Sequence, residues 1–171
     1  WNKIYKRSVV EGIYFPVGRR YEDVATVYKY FANAKLVGYI SKPMYYYFLK
    51  NPNSFISSSF NVSSRFDCFL AYRERYNFAL NNCDERTIIC CHKLVIKQAL
   101  STLTAMYVAD VRQYLSKYND IELTLKNGKQ FFKENKIGIK NSILMWSFFH
   151  CKTIHVVYGN LSCLHKRIRN K

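Results

Sequence analysis

The feature that most limits how this chain folds is the unbroken helical pattern over residues 84–118. Ile89, Ile96, Leu100, Leu103, Tyr107, Val111 and Tyr114 recur there at spacings of three, four or seven. That is the period of one face of an α-helix, so the run predicts a long helix with a buried stripe. A second helical pattern precedes it at 66–81. Asn119, Asp120, Asn127 and Gly128 interrupt the run, and shorter helices are expected at 128–135, 140–149 and 153–169. With 171 residues in all, the length fits a single domain.

The first 55 or so residues differ in texture. All three prolines (Pro16, Pro43, Pro52) and the glycines Gly12, Gly18 and Gly38 mark turns there. Between them lie a short helical piece at 7–11, a loop at 13–21, a helix at 23–32 and two strand-like runs, 36–40 and 44–49. Residues 51–64 are rich in Asn and Ser and read as a connecting loop, with 57–64 as the divide. The expected fold class is therefore α/β at the start, followed by a mostly α-helical extension over 65–171.

Charge narrows the partners. The formal net charge is +16, which attracts nucleic acid, an acidic lipid surface or a phosphate-bearing ligand without choosing among them. No helix-turn-helix, zinc finger or aromatic RNA-binding pattern is present, which argues against nucleic acid. Fifteen Tyr, twelve Phe and two Trp favour core edges, ligand clefts and interfaces. The uncharged stretches 98–109 and 141–151 fall short of the roughly 18 apolar residues that span a bilayer. Opening on Trp1 with no signal-peptide pattern, the chain reads as a fragment. Its six cysteines form no Cys-x-x-Cys pair, so reduced thiols are expected; His150, Cys151, His155, Cys163 and His165 have zinc-binding atom types but not the spacing of structural sites. Cys90, Cys91 and His92 read as packing.

The most suggestive chemistry sits in Phe15-Pro16-Val17-Gly18-Arg19-Arg20-Tyr21-Glu22-Asp23, where a turn-rich loop delivers two adjacent carboxylates at a helix entrance. Two readings coexist. Asp is a favoured N-cap and first-turn acids complement the helix dipole; a carboxylate fixed there is also a rigidly placed base.

Several segments occur in a familiar order: Trp1-Asn2-Lys3-Ile4-Tyr5-Lys6-Arg7, Phe15-Pro16-x-Gly18, Tyr21-Glu22-Asp23, Ala34-Lys35, Lys42-Pro43-Met44-Tyr45-Tyr46-Tyr47 and Asn53-Ser54. Over residues 1–56 the chain resembles the closing part of the catalytic domain of family 2 glycosyltransferases, and the helical remainder resembles the variable extension of the bacterial surface-polysaccharide members. The resemblance implies the acceptor-side portion of a GT-A fold, with the nucleotide-binding half and its Asp-x-Asp metal motif upstream. It implies inverting transfer of a sugar from a nucleotide-diphosphate donor to a saccharide or lipid-linked acceptor, with Asp23 as general base and Glu22 in support. A divalent metal, Mg or Mn, is implied for the complete enzyme, its ligands lying outside this chain. Lys50, Arg19 and Arg20 are the candidates for the diphosphate or an acidic acceptor, with solvated surface charge as the alternative; Phe48 stands where family members often carry Arg. Trp1, Tyr21 and Tyr46 are the candidates for sugar contact.

The last helix carries Ile154, Val157, Leu161, Leu164 and Ile168 on one side, and five basic residues with no acid from 152 to 171. It reads either as a holdfast on an anionic membrane, at the cytoplasmic inner face where lipid-linked acceptors reside, or as a helix whose apolar stripe packs on its neighbours.

Overall fold

The computed structural model describes residues 3–46 and 61–169, the side chains of 166–169 excepted. Helix α1 (Arg7–Val10) and helix α2 (Glu22–Asn33) precede two long helices, α3 (Val62–Asn82) and α4 (Glu85–Ala109). A 3-10 turn at Val111–Tyr114 leads into α5 (Leu115–Asn127), α6 (Lys129–Glu134), α7 (Ile139–His150) and α8 (Thr153–Arg169). Only Cys83 and Asp84 separate α3 from α4, so the two lie as antiparallel neighbours. Asn61 and Asp84 cap these helices, their side chains accepting from the backbone N–H of Ser64 (3.2 Å) and Thr87 (2.9 Å).

Helix α4 is the axis of the molecule and touches α3, α5, α7 and α8. Every residue from Ala99 to Met106 except Ser101 is buried, and a helix enclosed on all sides is what such a central position requires. Phe69, Ile96, Leu100, Leu103, Met106, Ile121 and Leu125 are fully enclosed, each contributing about 1.5–3 kcal/mol of transfer free energy. Gly159 of α8 makes the crossing with α4 close: a Cβ there would run into the side chains of Val108 and Thr104. The N-terminal segment docks mainly through α2 on α3. Its own small core is built on Tyr30, with Tyr5 and Phe15 edge-on at 5.1 and 6.1 Å, while Tyr28 meets Phe78 of α3 at 5.1 Å.

This architecture corrects four expectations. The described residues are all-helical in their regular structure, with no strand, so the α/β fold class and the GT-A portion do not hold. Residues 36–40 are irregular, and so are 44–46 of the second strand-like run; the rest of that run lies outside the described residues. The physical reason is that a strand exists only as one side of a ladder. No second extended segment lies alongside among the described residues, and Leu36 and Tyr39 are each 90% exposed.

Second, the helix expected over 84–118 ends at Ala109. Asp110 takes φ 79°, and its carboxylate chelates Arg112 through the backbone N–H (3.1 Å), Nε (3.0 Å) and Nη2 (3.0 Å). A short polar side chain that bonds its own backbone tolerates positive φ better than most. Val111 and Tyr114 therefore sit on the 3-10 turn, and Asn119 and Asp120 lie inside α5. Third, the expected loop at 57–64 is already helical from Val62; residues 57–60 lie outside the described residues.

Fourth, of the two readings of the α8 stripe, packing on its neighbours does not hold for Val157, Leu161 and Leu164. Val157, Leu161 and Leu164 are 58%, 61% and 54% exposed, whereas His155 and Gly159 form the buried face. The close Gly159 crossing sets the rotation of α8, and that turns the leucines outward.

Candidate functional site

Two places gather polar side chains. The first is the loop between α1 and α2. Gly12 and Gly18 both take φ 75°, and Tyr21, the N-cap of α2, takes the left-handed conformation at φ 59°, ψ 37°. Two basic residues tie this loop to α3. Arg19 Nη1 donates to Glu74 Oε1 at 2.6 Å, and the Arg20 backbone N–H donates to Asp67 Oδ2 at 3.3 Å. Arg19 is thus engaged with α3, its Nε and Nη2 enclosed without a hydrogen-bond partner.

Glu22 and Asp23 follow as the first two residues of α2, both exposed. Tyr21, not Asp23, is the N-cap, and Asp23 Oδ1 accepts from the Val24 N–H at 2.8 Å. One carboxylate oxygen is therefore occupied by the helix entrance, where an anion is favoured by the dipole. Asp23 also lies close to α3. Burial is the main force lifting the Tyr72 phenol, with Asp23 and Tyr21 adding to it. Burial likewise pushes the Cys68 thiol up to about 11, countered by Arg65 and reinforced by Asp23 and Asp67. Cys68 is a packing thiol, since the reactive form is the thiolate.

The loop brings Tyr21, Glu22 and Asp23 together on one turn, with Arg19 and Arg20 immediately before. Tyr46 is 85% exposed on the segment that leaves the opposite end of α2, and a 12-residue helix holds its ends about 18 Å apart. Trp1 and Lys50 lie outside the described residues.

The second place is a cavity of about 180 Å³ walled by four helices. Arg65 comes from α3, Lys97 and Ser101 from α4, Lys140 from α7, and Tyr158 and Ser162 from α8. Arg65 Nη1 donates to Ser101 Oγ, and Lys140 Nζ lies 4.9 Å from the centre of the Tyr158 ring. Thr104, Leu144 and Gly159, all buried, form the floor. Sequence reading missed this cavity. Its cations are far apart along the chain, and none carries a local motif.

Beneath the floor, His155 is fully buried. Its Nδ1 is 2.9 Å from Thr104 Oγ1 and its Nε2 is 3.0 Å from the Leu144 carbonyl. Burial, opposed by the bond to Leu144, pulls its pKa down to about 4. His92 is sandwiched between Tyr76 (4.6 Å) and Phe131 (3.9 Å), and burial lowers its pKa as well. Cys91 is buried and Cys90 exposed. Among the described residues no three His, Cys, Asp or Glu side chains converge as a metal site. Among them, too, no helix is long and apolar enough to cross a membrane. Comparison with protein-family models, with curated proteins and with solved structures found no match.

Proposed function

We propose that this chain is part of an inverting glycosyltransferase, with Asp23 as the general base. The observation that carries the reading is the exposed Glu22–Asp23 pair on the first turn of α2, on a loop tied to α3 at Arg19 and Arg20. The sequence resemblance around Tyr21-Glu22-Asp23 supplies the chemistry. Asp23 takes the proton of an acceptor hydroxyl as that oxygen bonds to the anomeric carbon; the bond from that carbon to the nucleoside diphosphate breaks, and the diphosphate leaves. A sugar hydroxyl is a weak nucleophile, and a positioned base contributes about 100- to 10,000-fold. Asp23 Oδ1 is held by the Val24 N–H, which fixes the exposed carboxylate at the start of α2. Glu22 orients the acceptor, and Tyr21 offers a half-exposed ring to a sugar face. Arg19 holds the loop.

The reading calls for Mg or Mn to neutralise the leaving diphosphate. On this reading the metal ligands and the nucleotide site are expected on residues outside this chain, as the sequence resemblance implies.

The outward stripe of α8 supports a membrane-surface location for the acceptor. Val157, Leu161 and Leu164 project from a helix flanked by Lys152 and ending in basic sequence, and each basic residue near an anionic surface adds about 1 kcal/mol of attraction. In an enzyme that joins this chain to the nucleotide-binding half the reading requires, Asp23→Asn should lower kcat for sugar transfer by about 100-fold or more while the helical circular dichroism is kept. Undiminished transfer by that variant removes the assignment. A second reading, a basic module that binds an anion without catalysis, is favoured by the cavity between α3, α4, α7 and α8.

A further inference from the structure

The cavity walls carry three cationic side chains from three different helices: Arg65, Lys97 and Lys140. Among the described residues, no Asp or Glu lines it. Hydroxyl groups share the lining with the cations: Ser101 of α4 accepts from Arg65, Ser162 comes from α8, and Tyr158 lies beside Lys140. Cations crowded around a concave surface without a carboxylate repel one another, and an anion seated among them removes that repulsion. The Tyr158 phenol reports the local field. Burial acts to raise its pKa, yet hydrogen bonds from Lys140 and Ser162, with the charges of Lys140 and Arg65, leave it below its ordinary value.

The shape is equally selective. The buried floor of Thr104, Leu144 and Gly159 closes one end, and the exposed Lys97 and Lys140 stand at the mouth. A volume of about 180 Å³ exceeds what one or two waters need and falls below the roughly 300–1,000 Å³ of pockets for drug-sized ligands. Such a space takes a compact anionic group with several acceptor oxygens, not a whole nucleotide sugar. Arg and Lys with hydroxyl donors are the side chains that bind phosphate.

We propose that the cavity between α3, α4, α7 and α8 is a binding site for a phosphoryl or diphosphoryl group, held by Arg65, Lys97 and Lys140 with the hydroxyls of Ser101 and Ser162. The group arrives either as a free phosphate compound or as the headgroup of an acidic phospholipid, and the two share this chemistry. The site is independent of Asp23 and stands whether or not that residue is a base.

Isothermal titration of the full chain with inorganic pyrophosphate tests it. Saturable one-to-one binding is expected, at least about tenfold weaker in Lys97→Gln/Lys140→Gln, since each tenfold loss corresponds to only about 1.4 kcal/mol. The matched control Lys133→Gln/Lys136→Gln removes the same charge from exposed positions outside the cavity and should bind as the unaltered chain does. Ser162→Asp, which adds a carboxylate to the wall without removing a cation, should also abolish binding; it keeps the test decisive if the lysine variant fails to fold. Competition with vesicles of phosphatidylcholine containing phosphatidic acid separates the sources. Displacement of pyrophosphate by these vesicles, and not by pure phosphatidylcholine, identifies the headgroup; pyrophosphate binding without displacement identifies the free phosphate. No saturable pyrophosphate binding, or equal loss in the control variant, overturns the proposal.

Discussion

His155 shows how a single buried proton is assigned by its neighbours. The Leu144 carbonyl can only accept, so Nε2 carries the hydrogen. In the neutral ring Nδ1 is then an acceptor, and the Thr104 hydroxyl, also 2.9 Å from the Leu100 carbonyl, turns its proton to the imidazole. Protonating the ring breaks this arrangement inside a closed core. The ordinary histidine pKa of 6.5 applies to the unfolded chain, and the folded value is about 4. Between these values the unfolded state binds the proton more readily, so stability is full above pH 6.5 and is lost as pH falls toward 4. The loss reaches about 3 kcal/mol. Urea unfolding at pH 7 and pH 4.5 measures it, and His155→Gln should flatten the slope. An unchanged slope in that variant would assign the acid sensitivity to other groups.

At the scale of elements, the contact of α4 with α8 depends on one missing side chain. Glycine inside a helix costs about 0.5–1 kcal/mol relative to alanine, so Gly159→Ala on an isolated helix would stabilise. Here the added methyl meets Val108 and Thr104, and overpacking of this kind costs about 1–3 kcal/mol. Gly159→Ala should therefore lower the melting temperature, and adding Val108→Ala should restore most of it; a stabilised single variant would contradict the close crossing.

The helices whose period is local were legible in the sequence. Those expected at 23–32, 140–149 and 153–169 correspond to α2, α7 and α8 within a few residues. What failed required knowledge of neighbours. Leu36 and Tyr39 have strand-like composition, but composition does not supply a partner strand. Asp110 looks like an ordinary polar residue within a helical period until its carboxylate closes on Arg112. Val157, Leu161 and Leu164 do share the outward face of α8, but which face meets α4 was decided by Gly159 and His155. For the same reason the placement of Glu22 and Asp23 on one exposed turn was legible from their adjacency in sequence, whereas the cavity assembled from four helices was not.

At the scale of the whole molecule, a net charge of +16 is combined with an outward apolar stripe on α8 and a second on α7, where Ile139, Ile143 and Trp146 are exposed at helical spacing. On the proposed membrane-surface reading, such a helix would bind a lipid interface through apolar insertion added to charge attraction. Leu161→Ser/Leu164→Ser should weaken sedimentation with vesicles containing phosphatidylglycerol by about tenfold while leaving the melting temperature within a few degrees, because both side chains are already exposed. A large drop in melting temperature would show instead that the stripe is packed.

The account turns on a carboxylate at the entrance of α2 acting on an acceptor alcohol. Single-turnover transfer by an enzyme that joins this chain to the required nucleotide-binding half, at saturating acceptor and with acceptor affinity measured in parallel, isolates that step for Asp23→Asn. The predicted result is a rate lower by about 100-fold or more with acceptor affinity nearly unchanged; an unaltered rate, or a loss wholly explained by weaker acceptor binding, would contradict it.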